Sequence, residues 1–326
     1  MKSLRTFLRL FAHVQMLPIL EGGEETLVGG QAVMEGVMMC APHSYCVAVR
    51  KASGEIVTES HPVQRLSDKH KWLKWPVLRG LGTIGHSLSL GMRALKFSAN
   101  AALDDGSSEK PTEIPAWAMT LQVIISVAFF IFMYKLVPLY LTESLKNHVS
   151  AFRGQILYNT VDGLIRLTIF VGFLYALSRL KDIRRVFEYH GAEHKVVFNF
   201  ESGREVNIQN AQSFTTFHPR CGTSFMFVIL LISTVVYTII PTPHTFLMKL
   251  AERVVLLLPI AGVSYELIRF AARRRGSLLA VLAAPGLWTQ RITTKGPSDD
   301  QAAVAIHALE GAMALEAEQG GELVIA

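Results

Sequence analysis

The chain has 326 residues, of which 50% are hydrophobic and 18% are charged, and its formal net charge is +6. Soluble domains carry about 25% charged residues, and the basic residues here gather beside long apolar segments, so the composition indicates a membrane protein and excludes a nucleic-acid-binding surface. The three cysteines are an odd number, which argues against a secreted disulfide framework and favours a reducing compartment.

Residues 1–26 are the first predicted element. The segment starts basic and turns apolar, but Arg9 and His13 interrupt the apolar run and no small-residue cleavage site follows. These features exclude a secretory signal. The apolar residues recur at helical spacing, so we predict an amphipathic helix that lies on a membrane or packs against a neighbouring element.

Three more elements precede the membrane domain. In residues 27–70, glycines and β-branched residues surround a Ser53-Gly54 turn, which predicts a small β-rich unit with a hairpin. Residues 71–103 are apolar but contain four glycines, which predicts an interfacial or re-entrant helical segment rather than a membrane span. Residues 104–116 are polar and acidic, and we expect a linker there.

Residues 117–296 are predicted to be the membrane domain. Four segments are apolar and long enough to cross a bilayer, which requires about 20 helical residues: Trp117–Leu141, Ile156–Leu177, Thr223–Ile240 and Val254–Ala271. Asp162 and Arg166 lie one turn apart in the second segment, where they either pair or reach the membrane surface. Short connections follow the first and third segments. The predicted fold class is an α-helical membrane protein with four transmembrane helices in two hairpins and a small cytoplasmic β-rich N-terminal unit.

The basic residues predict the orientation of the chain. The motif-bearing loop 178–222 is rich in Lys and Arg, and three consecutive arginines follow the fourth predicted span. Such residues favour the cytoplasmic side, so we expect this loop and both termini in the cytoplasm of a multi-pass membrane protein. Residues 297–326 are predicted to form a capped amphipathic helix and a tail.

The most informative motif is EYHGAEHKVVF, which begins at Glu188. His190 and His194 lie four residues apart on one face of a predicted helix, so they can share a metal ion. The sequence between them has the H-x-x-E-H pattern of the inverted zincins, in which the histidines bind zinc and the glutamate, here Glu193, is the general base. In the alternative interpretation, the two histidines only pack against other helices and bond to backbone carbonyls.

A second cluster precedes the third predicted span, where FHPRCGTSF places His218 and Cys221 three residues apart. Imidazole and thiolate are ligands of tetrahedral zinc, and Arg220 is positioned to favour the thiolate; alternatively, Cys221 is a small buried residue. Glu266 in the fourth span requires either a metal or an ion pair, with Arg269 as one partner. We expect both clusters to meet in one cytoplasmic-side pocket. The candidate ligands of zinc, or of another divalent transition metal, are His190, His194, His218, Cys221 and Glu266, and the preferred set is His190 and His194 with either His218 or Cys221.

Two other motifs supply candidate binding residues. GGQAVMEGVMM, from Gly29, lacks both the dinucleotide-binding glycine spacing and the P-loop lysine, so it predicts no nucleotide site. Its Gln31 and Glu35 are candidates to contact the metal ligands or the substrate, as is Arg220; a plain glycine-rich turn is the alternative. In PGLWTQRITT, we expect Trp288 at the membrane surface and Arg291 on a phosphate or carboxylate, unless the segment is only an anchor.

These motifs together resemble the YqhQ-like bacterial family of multi-pass membrane proteins. The matching segments are GGQAVMEGVMM from Gly29, PVLRG from Pro76, EYHGAEHKVVFNFE from Glu188, HPRCGTSF from His218, PIAGVSYE from Pro259 and PGLWTQRITT from Pro285. The resemblance spans nearly the whole chain. It implies a family of unknown function that carries the label of a predicted metal-dependent enzyme. Cys40 departs from the pattern, because an arginine is expected after GVMM.

Three functions are compatible with the sequence. The leading hypothesis is a zinc-dependent hydrolase of the inner membrane that acts at the cytoplasmic face on a peptide or lipid-linked substrate. The alternative is a non-enzymatic scaffold or assembly factor with a structural metal site. A transporter is third, because four spans per chain would require a dimer and the spans have few central polar residues. The expected partners are the lipid bilayer and either a second copy or another membrane protein, with no nucleic acid.

Overall fold

The computed structural model describes residues 28–63, 71–103, 115–218, 221–241, 243–273 and 278–318. The predicted N-terminal amphipathic segment 1–26 and Arg220 lie outside these residues. The described chain is mainly helical and begins with a four-stranded antiparallel sheet.

The sheet is a meander in the order β1-β2-β3-β4. Its strands are β1 Gly29–Val33, β2 Gly36–Cys40, β3 Ser44–Arg50 and β4 Ile56–Pro62. Gly54 has a φ of +90° in the turn between β3 and β4, a conformation that glycine adopts without steric cost. The predicted hairpin around Ser53-Gly54 is therefore confirmed.

The helices follow the sheet along the chain. They are α1 Leu78–Leu103, α2 Ala116–Ile131, α3 Val137–His148, α4 Gln155–Leu177, α5 Lys181–Glu201, α6 Ile208–Ser213, α7 Gly222–Ile239, α8 Phe246–Val255, α9 Leu257–Arg273, α10 Leu278–Thr293 and α11 Asp299–Glu318. A π-helical turn, Phe132–Leu136, joins α2 to α3, and short 3-10 turns lie at Lys71–Lys74 and Ser150–Arg153.

Three helices among the described residues are long and apolar enough to cross a membrane. They are Trp117–His148, Gln155–Leu177 and Gly222–Ile239, which overlap the first three predicted spans. The fourth predicted span, Val254–Ala271, begins inside α8 and crosses the helix break at Leu256, and α9 has 17 residues. Length and composition therefore support a membrane protein with three candidate spans.

Both faces of the sheet are covered, which explains why its central strands are apolar at nearly every position. Side chains alternate between the two faces of a strand. One buried cluster joins the sheet to α1, and its members include Met38, Tyr45, Val47, Val49, Leu90 and Ala94. A second cluster joins the opposite face to α5 and α11, and its members include Val37, Met39, Cys46, Ala48, Val196, Val304 and Leu309.

Helix α11 is buried against the sheet and is anchored at both ends. At its start, the Ser298 hydroxyl accepts from the Gln301 amide while the Gln301 side chain accepts from the Ser298 amide, a reciprocal cap that satisfies two donors. Near its end, the carboxylate of Glu316 accepts hydrogen bonds from the backbone of His43 at 2.8 Å and the hydroxyl of Ser44 at 3.0 Å. The C-terminal helix is thus an integral part of the β unit.

A charged cluster lies inside the helical bundle. Asp162 is fully buried in α4 and forms ion pairs with Arg166, at 2.9 Å, and with Arg253 of α8. Arg166 also donates to the hydroxyl of Ser233 in α7 at 2.6 Å. Charges in an apolar bundle persist only when they are paired or hydrogen-bonded, so pairing, one of the two expected arrangements of Asp162 and Arg166, is the one observed.

Candidate metal centre

Helix α5 brings the two histidines of the motif together. His190 and His194 lie one turn apart, and their ring centroids are 4.4 Å apart. Gly191 stands between them, and a Cβ at this position would overlap the backbone carbonyl of Lys295. The glycine therefore lets the segment after α10 run directly against α5, beside the histidine pair.

The last residue of α10 and the loop before α7 fix the orientation of both rings. The Nδ1 atom of His190 lies 2.9 Å from the carbonyl oxygen of Thr293, and the Nδ1 atom of His194 bonds to the carbonyl oxygen of Thr216. A carbonyl only accepts hydrogen bonds, so each Nδ1 must carry its proton. In a neutral ring, the Nε2 atom is then unprotonated and available to a metal, as in protein metal sites where the second ring nitrogen donates to a backbone carbonyl.

Cys221 completes a group of three potential ligands. Its Sγ atom lies 3.2 Å from the Nε2 atom of His190, and the donor atoms of His190, His194 and Cys221 all lie within 4.8 Å of one another. Ligands of a tetrahedral zinc ion lie roughly 3.3–3.8 Å apart when their bonds are 2.0–2.3 Å long. Cys221 also stands at the N-cap of α7, where helix amides favour negative charge. The group fits a zinc ion after small side-chain adjustments.

Glu193 lies at the edge of this group. Its Oε2 atom is 3.4 Å from the Nε2 atom of His194, the ring atom that would face a metal. The strand β1 covers the carboxylate side chain, because a Cβ at Gly30 would lie 2.6 Å from Cγ of Glu193. Glu193 is only 5% exposed. The carboxylate is therefore held close to His194 in a buried site.

His218 lies beside the group but outside it. Its ring centroid is 5.4 Å from that of His194, and its Nε2 atom is 3.9 Å from a carboxylate oxygen of Glu201. The side chain of Gln290, in α10, accepts from the His218 amide at 2.8 Å and donates to its carbonyl at 2.7 Å. The described geometry therefore favours Cys221 over His218 as the third ligand.

Burial sets the protonation of the site. It lowers the pKa of His194 and of His218, so both imidazoles stay neutral at physiological pH, the form that can bind a metal. Burial raises the pKa of Cys40 to about 12, and the charge of Glu193 adds to this effect. Cys40 stands where the family resemblance leads us to expect an arginine. This position is therefore occupied by a neutral thiol near Glu193.

Other predicted site residues have contacts outside the three-donor group. Glu266 forms a two-pronged ion pair with Arg79 of α1, so the ion-pair interpretation holds, with Arg79 rather than Arg269 as its hydrogen-bonded partner; we leave Glu266 out of the ligand set. Glu35 is in the turn after β1 and pairs with Arg185. Gln31 lies against a glycine of α1. Neither Gln31 nor Glu35 belongs to the three-donor group.

Arg291, by contrast, is close in sequence to a residue that contacts the candidate metal centre. It is two residues before Thr293, whose carbonyl holds His190, and its side chain lines a separate basic cavity. Arg220 is outside the described residues.

Three residues that hold the site were not predicted from the sequence. Thr216 and Thr293 act through backbone carbonyls, which every residue possesses, so no side-chain pattern indicates them. Gln290 is fully buried, and its polar side chain in an apolar helix was the one available signal. Its side-chain amide binds the backbone amide and carbonyl of His218 on one side of Cys221 and the hydroxyl of Ser224 on the other.

The geometry defines the class of protein, and the comparisons with known proteins show its family. The chain is a helical protein with membrane-length apolar helices, a small sheet and a His–His–Cys group in which His194 and Cys221 are buried. It belongs to the family described as "protein of unknown function (DUF1385)", whose profile matches residues 75–315. It is 34% identical over 299 residues to "Uncharacterized protein YqhQ" of Bacillus subtilis (strain 168), an alignment that covers 89% of this chain and 93% of that protein. No solved structure matches the chain.

Proposed function

We propose that this protein is a zinc-dependent hydrolase of the bacterial inner membrane that acts at the cytoplasmic face on a peptide or lipid-linked substrate. In this proposal, His190, His194 and Cys221 hold the ion and Glu193 is the general base. One observation carries it: three donor atoms lie within 4.8 Å of one another, and both histidines are fixed through Nδ1 so that Nε2 faces inward.

The residues of the chain have separate roles in such a reaction. The two imidazoles and the thiolate supply three ligands, which leaves one position of a tetrahedral ion for substrate or water. A zinc ion bound here would act as a Lewis acid. Glu193 would take the proton from the attacking water. The strand at Gly30 keeps the carboxylate near His194 and limits its hydration.

The proposal includes four spans with both termini in the cytoplasm. Helix α9 would be the fourth, and the buried cluster of Ile229, Tyr237 and Ile260 packs it along α7. The basic residues of loop 178–222 support a cytoplasmic site. Reporter fusions near Asp105 and after Pro297 should both report the cytoplasm, and an external signal from either would rule out this topology.

A structural metal site in a membrane scaffold is the second candidate, and burial favours it. His194 is 1% exposed and Cys221 is 8% exposed, so a substrate has little direct access to the donors in the described conformation. With Glu193 or His218 as a fourth ligand, the ion would be fully coordinated and would stabilise the junction of α5, α7 and α10 without performing chemistry.

The substitution Glu193→Gln separates the two functions. If Glu193 is a base, the amide variant should keep zinc content and thermal stability but lose cellular complementation, because a neutral amide cannot accept the proton. If Glu193 is a ligand, zinc content and stability should fall together. Asp182→Asn, an exposed carboxylate near the start of the same helix, is the matched control and should leave all three readouts unchanged. His190→Ala should remove the zinc under either hypothesis, and normal zinc content in that variant would contradict the metal site itself.

A further inference from the structure

A cavity of about 340 Å³ lies where α4, α5 and the end of α10 meet. Four cationic side chains line it: Arg179, Arg184, Arg291 and Lys295. Among the described residues, no carboxylate contributes to this lining. The cavity is therefore a concentrated site of positive charge, separate from the three metal donors.

The cations are only partly neutralised by their surroundings. Arg184 lies 3.6 Å from a carboxylate oxygen of Glu188, on the side of α5. Arg179 stacks on the ring of Tyr175, with its guanidinium carbon 4.5 Å from the ring centroid, and donates to the tyrosine hydroxyl. Lys295 donates to the backbone carbonyl of Arg291 at 2.9 Å. These contacts position the side chains but leave an excess of positive charge toward the cavity.

Exposed aromatic residues beside this cavity favour a position at the depth of lipid headgroups. Helix α4, one of the three candidate spans, ends at Leu177, within the stretch that lines the cavity. Tyr175 and Trp288 are 52% and 55% exposed, and the guanidinium carbon of Arg291 lies 6.0 Å from the Trp288 ring centroid. Exposed Tyr and Trp next to Arg at the end of a membrane helix are typical of the membrane–water interface.

We propose that this cavity binds the phosphate-bearing headgroup of an anionic phospholipid. Arginine binds phosphate oxygens with two parallel hydrogen bonds, and basic pockets between membrane helices are recognised sites for anionic lipid headgroups. The volume is within the range of small-ligand pockets, about 300–1,000 Å³. A lipid fits better than free phosphate, because the exposed aromatic residues offer an apolar surface for the acyl chains.

The lipid site is independent of the proposed zinc chemistry, although the two sites are neighbours. Arg291 and Lys295 flank Thr293, whose carbonyl orients His190. Occupation of the cavity would therefore hold the end of α10 against α5. The proposal nevertheless rests only on the cavity, its charges and its position, so it can be tested on zinc-free protein as well as on zinc-loaded protein.

The test uses the full chain in detergent and three probes: a short-chain phosphatidylglycerol, a short-chain phosphatidylcholine and inorganic phosphate. The test variant is Arg179→Gln with Arg291→Gln, and the matched control is Arg204→Gln, an exposed arginine outside the cavity. Each cation near an anionic lipid contributes roughly fivefold to binding, so the double variant should bind phosphatidylglycerol roughly 30-fold more weakly. Its zinc content should equal that of the unmodified chain.

Three outcomes would overturn the proposal. The first is equal affinity for the two lipids, and the second is unchanged phosphatidylglycerol binding in the double variant. The third is tight binding of inorganic phosphate with no binding of lipid, which would make the cavity a site for a soluble anion. If the double variant does not fold, Arg184→Gln with Lys295→Gln removes two other cations and must give the same weakening.

Discussion

Replacement of Gly30 by alanine probes the contact between the β unit and the candidate metal centre. A Cβ at Gly30 would lie 2.6 Å from Cγ of Glu193 and 2.7 Å from the carbonyl oxygen of Met38. Both distances are far inside normal van der Waals contact. Movement of the glutamate relieves only the first overlap, so β1 must also shift against β2. Overpacking of this kind costs about 1–3 kcal/mol. Gly29 is the matched control, because nothing lies within 4 Å of a Cβ at that position.

Thermal unfolding of the purified chain measures this cost. At about 2–4 °C per kcal/mol for a large domain, Gly30→Ala should lower the Tm by roughly 2–12 °C, whereas Gly29→Ala should leave it unchanged. A double-mutant cycle with Glu193→Ala then isolates the contact. The double variant should be less destabilised than the sum of the single variants, because the shortened side chain no longer meets the new methyl group. Equal Tm values for the two glycine variants, or strict additivity in the cycle, would refute the close packing of β1 on Glu193.

Two further predictions concern buried polar groups. Gln290→Leu leaves the backbone amide and carbonyl of His218 without their present partner, which costs about 1–3 kcal/mol for each buried group; a lower Tm with reduced zinc content is expected, and an unchanged Tm would contradict the assigned hydrogen bonds. For Glu316, burial raises the pKa, but hydrogen bonds from His43 and Ser44 outweigh it, so the pKa lies below its ordinary value of 4.5. Its ionised form therefore contributes stability that is present above that ordinary value and lost as the pH falls through the lowered one. Glu316→Gln should be less stable than the unmodified chain at pH 7, and the difference should shrink as the solution becomes acidic; a pH-independent difference would contradict this.

The sheet could be predicted from local sequence because its signals are local. The Ser53-Gly54 turn and the β-branched residues around it indicate a hairpin without reference to any distant residue. The short strands β1 and β2 were harder, since apolar side chains cover both faces of β2 and the period-2 alternation disappears. What covers those faces is α1 and α11, and α11 lies more than 200 residues away in the chain; no local pattern indicates that pairing.

The candidate metal centre was partly predictable for a similar reason. Helical spacing alone places His190 and His194 on one face, and residue chemistry singles out Cys221. Which of the other candidate residues are ligands depends on contacts between residues that are distant in the sequence. Glu266 has the chemistry of a ligand, but Arg79, distant in sequence, provides its partner. The choice between His218 and Cys221 depends on a backbone held by Gln290, which sequence spacing does not reveal.

The buried ion pairs of Asp162 bear on the fourth proposed span. Asp162 is the eighth residue of α4, counted from Gln155, so it lies about 10 Å along the helix at 1.5 Å per residue. Arg253 lies in the short predicted connection after the third segment, and it pairs with Asp162 at the same level of the bundle. The break between α8 and α9, at Leu256, comes shortly after Arg253 in the chain. Helix α9 therefore begins inside the bundle, and its 17 residues extend about 25 Å. The hydrocarbon core of a bilayer is about 30 Å thick. A helix that starts inside this core can reach the opposite membrane surface with about 25 Å of length. The buried pair of Arg253 and Asp162 thus supports the proposal that a short helix α9 is long enough to be the fourth span.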